Sequence, residues 1–192
     1  MDVEGKLSKV KSFYNLDENK FYHTINHIRT MLYTYCIYED DIDNYYPSLN
    51  KELLIDMILW HDAGYVPGCK ENEYEAASLY MKNNDYDYIV VEAIISTIPF
   101  TNKYENDYEK LMHDLDWFGF VDYNTMVEND VLIRNEYPDV DDATFFKNKY
   151  KFLNQMLEVY GKNLYVSEVF KNLNEVAYQN IQKRMKELLH EF

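Results

Sequence analysis

Five histidines occur in the 192 residues, and four of them stand beside groups that could share a task. His23 and His27 are spaced four apart in FYHTINHIR. On a helix that spacing puts both imidazoles on one face, one turn apart. Two such rings can hold one metal ion, or one can hold the ion while the other faces a ligand. In LLIDMILWHDAGY, residues 53–65, an apolar helix ends in the doublet His61-Asp62, just before Gly64. Neighbouring helical residues point about 100° apart, yet both can reach one ion where a helix ends. In LMHDLDWFGF the acids Asp114 and Asp116 sit among apolar residues, with His113 alongside. A buried carboxylate without a partner is costly and takes up a proton, whereas a metal removes the penalty. His190, in the last three residues, reads as a bystander.

Each piece alone is weak, because a lone helical histidine is more often a core or surface residue. The ordered set H…HD…D, spread over three of the predicted helices, is what points to a metal site. Mixed nitrogen and oxygen donors suit Mn, Fe, Co, Ni or Zn better than calcium.

The elements that must position these groups read as helices throughout. Apolar residues recur at three- and four-residue spacing, and only 5 Gly and 4 Pro interrupt them. The periodicity predicts helices over 6–14, 21–39, about 48–61 with Ser48 as N-cap, 71–83, 86–97, 107–118, 124–136, 142–160 and 167–189. EDDIDNYYPS reads as an acidic turn. YIVV at 88–91 has strand-like composition, but its flanks and the lack of a partner strand favour helix. The chain is expected to be an all-α bundle forming one domain over 1–192, with its core at about 14–182.

Composition narrows the function. A net charge of −15 repels phosphate backbones, so binding to a nucleic-acid polymer is not expected. A small phosphorylated molecule remains compatible if a divalent cation supplies local positive charge. Cys36 and Cys69 form no CxxC pair and read as reduced thiols of a cytoplasmic protein. The start MDVEGKLSKV lacks the apolar core of a signal peptide, and no run reaches the roughly 18 apolar residues of a membrane span.

These residues resemble the HD superfamily of metal-dependent phosphohydrolases, and within it the predicted HD phosphohydrolases carrying a YHxxxH motif. YHTINH at 22–27 is similar to that motif, and LWHDAGYVPG at 59–68 to the doublet and its turn. NEYEAAS at 72–78, HDLDWFGF at 113–120 and IRNEYPDV at 133–140 resemble further family segments. The resemblance runs over about 14–182 and implies the HD-type helical fold. It also implies metal ligands His27, His61, Asp62 and Asp116, with His23 in place of His27 and Asp114 in place of Asp116 left open. By the same resemblance His23 faces the phosphate as donor or general acid, and Glu73 lies near the ion and orients water. Three positions depart from the family pattern: Lys20 where arginine is commoner, no histidine after Thr97 in ISTIPF, and tyrosine in AYQN at 177–180.

The activity so implied is hydrolysis of a phosphate ester or anhydride of a small molecule, a nucleotide above all. A divalent transition metal would activate water, and Asp62 would ligate and also orient or deprotonate it. Lys20, Arg134 and Lys149 are the candidates to hold further phosphates. Two other readings stand beside this one: an HD-like module that keeps the ion and senses a nucleotide without turnover, and a purely structural acidic helical protein. Association into a homo-oligomer is compatible with all three.

Overall fold

The computed structural model describes residues 2–14, 20–101 and 103–191. Ten α-helices follow one another: α1 (Val3–Tyr14), α2 (Ile25–Ile37), α3 (Glu39–Tyr45), α4 (Lys51–Trp60), α5 (Asn72–Asn83), α6 (Tyr88–Ile95), α7 (Asp107–Asp116), α8 (Tyr123–Asn135), α9 (Asp142–Tyr160) and α10 (Asn174–Leu188). Two short 3₁₀ turns, Trp117–Phe120 and Lys171–Leu173, complete the set, and no strand occurs among the described residues. The all-α expectation holds, including the helix at YIVV. No described helix is long and apolar enough to cross a membrane.

Six of the helices start where a short polar side chain accepts one of the first free N–H groups. Thr24 accepts from Asn26, Asn50 from Glu52, Asp87 from Ile89, Asn106 from Glu109, Asp122 from Thr125 and Asp141 from Thr144. Three boundaries differ from the periodicity, the first two for this reason. Thr24 caps α2, so His23 lies in the turn before the helix and not on it. Asn50 and not Ser48 caps α4. Residues 167–170 do not yet form a helix, and α10 begins only at Asn174. A fourth difference is that the acidic segment after α2 is helical, as α3. Its Glu39 and Asp43 both pair with Lys51 at the start of α4.

The central element is α4. Leu54, Ile55, Met57, Ile58, Leu59 and Trp60 are all buried, and the helix packs against α1, α2, α5, α6 and α7. Asp56, the acid inside this apolar stretch, reaches out to the Lys6 ammonium at 2.8 and 2.9 Å. One apolar cluster takes side chains from all ten helices.

Gly64 turns the chain after α4 at φ +76°, a conformation that a Cβ disfavours. Its N–H donates to the Phe13 carbonyl at 3.1 Å, and an added Cβ would lie 2.7 Å from Leu79 Cδ1. The following loop is closed by the Asn72 amide, which accepts from Val66 N–H and donates to the carbonyls of Val66 and Cys69.

The C-terminal turn of α7 is fixed by the pair His113-Asp114. Asp114 is fully buried and accepts from the backbone N–H groups of Val166 and Ser167. Burial pushes its carboxyl up to about 7 against those two donors. Burial likewise holds His113 down at about 4, so it is a neutral ring. Its Nε2–H donates to the Leu164 carbonyl, and its Nδ1 accepts from Tyr104.

Asp114→Ala leaves two buried N–H groups without an acceptor, at about 1–3 kcal/mol each. Thermal denaturation should therefore show a loss of about 2–5 kcal/mol, with Asp114→Asn losing less because it keeps one acceptor oxygen. A loss within about 0.5 kcal/mol for both would refute the anchoring role.

Candidate metal centre

The C-terminal ends of α4 and α7 meet the first turn of α2, and each delivers a polar side chain to the junction. His27 is the third residue of α2, His61 and Asp62 follow the last residue of α4, and Asp116 ends α7. His27 Nε2 lies 3.1 Å from Asp116 Oδ1 and 3.8 Å from Asp62 Oδ2. His61 Nε2 lies 3.1 Å from Asp62 Oδ2 and 3.5 Å from Asp116 Oδ1. Ligand atoms of His27, His61 and Asp116 all fall within 4.8 Å of one another, with Asp62 against the same two rings.

The chemistry of this junction turns on one nitrogen. His61 Nδ1–H donates to the Ile58 carbonyl at 3.0 Å, which leaves Nε2 as a lone pair. That Nε2 is buried and has no hydrogen-bond partner. A lone pair facing two carboxylate oxygens would be repulsive, so the junction favours a cation sitting there, either a proton or a metal ion. In the bare protein a proton does so: although burial opposes it, the charges of Asp62 and Asp116 raise His61 well above its ordinary value. The carboxylates respond in kind. Burial alone would raise Asp62, but the His61 imidazole outweighs it and holds the carboxyl at about 2. Asp116 is likewise lowered by His27 and His61 against its burial.

A transition metal fits the same position. Two donors each about 2.1 Å from one ion stand about 3–3.5 Å apart, which matches three of the four N···O separations. The backbone acceptor behind His61 is the usual device for fixing a ligating ring. His27, His61, Asp62 and Asp116 are therefore the residues that would hold the ion.

His23 stands apart from this cluster. Because it precedes α2, the expectation that His23 and His27 share one helix face does not hold, and the two rings do different things. His23 Nδ1 pairs with Glu136 Oε2 at 2.6 Å, and its ring stacks on Tyr65 at 3.6 Å. The other Glu136 oxygen accepts from the N–H groups of Phe21, Tyr22 and His23 at 2.7–3.0 Å. Glu136 is buried, but His23 and those N–H groups pull its carboxyl below the usual range. Position 136 lay inside the quoted IRNEY segment without a role. The signal available was an acid at the end of an otherwise amphipathic helix.

The junction opens into a cavity of about 670 Å³, lined by Asp62, Asp116, His23 and Glu73 among others. Glu73 is half-buried; burial, and then the charges of Asp62 and Asp116, raise its carboxyl. Tyr22 also faces this cavity, and burial beside Asp116 and Asp62 keeps its phenol protonated.

Of the three cationic candidates, the structure brings one to the cavity. Lys149 lines it. Arg134 does not: its Nε donates to Asp142, and its Nη atoms donate to the carbonyls of Tyr137 and Val140, closing the turn after α8. Lys20 is buried and is not part of the described cavity wall. Asp114 anchors residues 166 and 167, as described above, and takes no part in the junction.

Saturating Mn²⁺ or Zn²⁺ at 100 times its dissociation constant should stabilise the protein by about 2.7 kcal/mol in thermal unfolding. His61→Ala should abolish the gain. Affinity should fall as pH drops, because the ion must displace the proton that the two carboxylates hold on His61. Equal stabilisation of wild type and His61→Ala would rule out this site.

Compared with known proteins, the chain matches no family model, no curated protein and no solved structure.

Proposed function

We propose that the chain is a metal-dependent phosphohydrolase of the HD type, cleaving a phosphate ester or anhydride of a small molecule such as a nucleotide. The observation that carries this reading is the buried His61 Nε2 set 3.1 and 3.5 Å from oxygens of Asp62 and Asp116, two carboxylates that line a ligand-sized cavity. The resemblance of YHTINH, LWHDAGY and HDLDWFGF to HD segments points the same way.

A bound divalent ion would acidify a water and polarise a phosphoryl oxygen. The protein's own groups supply the rest. Asp62, held ionised, orients the water and accepts its proton as the new P–O bond forms. His23, with Nδ1 committed to Glu136, has Nε2 left to donate a proton to the departing oxygen as the old P–O bond breaks. The stacked Tyr65 and the Glu136 carboxylate fix that ring. Glu73 is the second acid near the water. Lys149 holds a non-reacting phosphoryl oxygen. The two exposed free thiols, Cys36 and Cys69, fit a cytoplasmic setting for such an enzyme.

A second reading has one observation in its favour. Thr97 lines the cavity and is followed by Ile98 and Pro99, with no histidine there to assist catalysis. A module that binds ion and nucleotide without turnover would look the same.

Elemental analysis of the purified protein and of Asp62→Ala, each screened for phosphate release from nucleotides in Mn²⁺, separates these readings. We expect about one metal per wild-type chain and release that disappears in Asp62→Ala. His23→Ala should retain metal and lose about 10²–10⁴-fold in rate. Metal and bound nucleotide without any release would replace the enzyme by the sensor.

A further inference from the structure

The cavity wall away from the metal cluster has a composition of its own. In α9, Phe145, Lys149 and Phe152 are spaced four and three apart, so they form one stripe along the helix, and all three line the cavity. The Lys149 ammonium lies 5.4 Å above the Phe152 ring centroid. Phe152 in turn meets Trp117 at 6.3 Å, and Trp117 meets Phe120 at 6.0 Å. Tyr137 meets Phe145 at 6.2 Å. The wall thus carries two aromatic groups, Tyr137 with Phe145 and Phe152 with Trp117 and Phe120, and Lys149 stands between them on α9.

That ammonium is held from behind. Asp130, 1% exposed, binds Lys149 through Oδ1 at 2.7 Å and the Arg184 guanidinium through Oδ2 at 2.8 Å. Arg184 is itself tied to Glu191 at 2.7 Å. Two cations share one buried carboxylate, Glu191 and Glu187 balance Arg184 on its far side, and Lys149 is the cavity-facing end of the cluster.

Among the described lining residues, Lys149 and the exposed Lys70 are the only Lys or Arg, against the carboxylates Asp62, Glu73 and Asp116. With one divalent ion added, such a wall carries about one net positive charge, which meets only part of the charge of a single phosphate group. A chain of two or three phosphates would bring charge that nothing on the wall meets. The aromatic stripe offers flat faces to a flat, apolar body.

We propose that the ligand of this cavity is a phosphomonoester with one phosphate group and a planar aromatic body, the body lying on Phe145, Phe152 and Trp117 and the phosphate bridging Lys149 and the metal cluster. The inference deepens the phosphohydrolase reading and rests on it for the position of the phosphate. It does not need turnover.

Calorimetry with phosphonates, which no hydrolase can cleave, tests this on Mn²⁺-loaded protein freed of excess metal. Benzylphosphonate should bind at least tenfold more tightly than methylphosphonate. Lys149→Met should weaken both about tenfold, and Lys149→Arg should restore much of the loss. Phe152→Ala should weaken benzylphosphonate alone; Phe152→Leu, which keeps the packing volume, guards against a folding defect. Methylenediphosphonate binding more tightly than benzylphosphonate would overturn the proposal in favour of a polyphosphate site. So would equal affinity for the benzyl and methyl compounds, or no binding of any of them. Release of phosphate from phenyl phosphate is measured separately: benzylphosphonate binding as expected, with no release, would remove the hydrolase and leave the ligand class intact.

Discussion

The structure depends on an electrostatic problem that the fold creates and does not itself solve. Two carboxylates and two imidazoles converge from α2, α4 and α7 with little solvent around them, and the hydrogen bond behind His61 aims its lone pair at the acids. Burying like-signed partners this way is tolerable only when a cation joins them. The apolar packing of α4 gives the junction its rigidity, since a helix with six of its ten residues buried cannot slide to relieve the repulsion. Around it, several acids have their partners: Asp56 has Lys6, Asp114 has two backbone N–H groups and Glu136 has three. The contrast is what singles out the one unmatched nitrogen.

The helical class and most helix positions were legible in the sequence, because burial follows three- and four-residue spacing and Gly and Pro are scarce. Boundaries were less legible. Ser48 and Asn50 are both good caps, and only the packing of α4 selects the second. At the start of α2 the threonine at 24 caps better than anything upstream, and this one residue moved His23 off the helix. His61 and Asp62 stood out as a polar pair ending an apolar helix, whereas His27 and Asp116 were set apart from His23 and Asp114 only by the family resemblance. The choice between Asp114 and Asp116 could not be made from spacing, since it depends on residues 166 and 167, some fifty positions away, arriving at the first acid.

Cations were the hardest to place. Lys20, Arg134 and Lys149 look alike in a sequence, each a basic residue near a motif. Their fates differ through partners that lie near or far along the chain. Arg134 finds Asp142 and two carbonyls within eight residues and becomes a loop brace. Lys149 finds Asp130, and through it Arg184, and is presented to the cavity. Nothing in local pattern predicts a carboxylate shared by two cations from different helices, because such triads depend on side-chain reach in three dimensions.

The position of the metal-cluster residues along the chain has a consequence for how the molecule comes into being. His27, His61, Asp62 and Asp116 all belong to the first 116 residues, whereas Glu136, the stripe on α9 and Arg184 come later. During synthesis, where N-terminal segments emerge first, the groups that could capture an ion leave the ribosome ahead of those that orient His23 and build the aromatic wall. The residues that would hold an ion and those that line the cavity beside them therefore emerge at different times, and α7 gains its anchor on Asp114 only once residues 166 and 167 have followed.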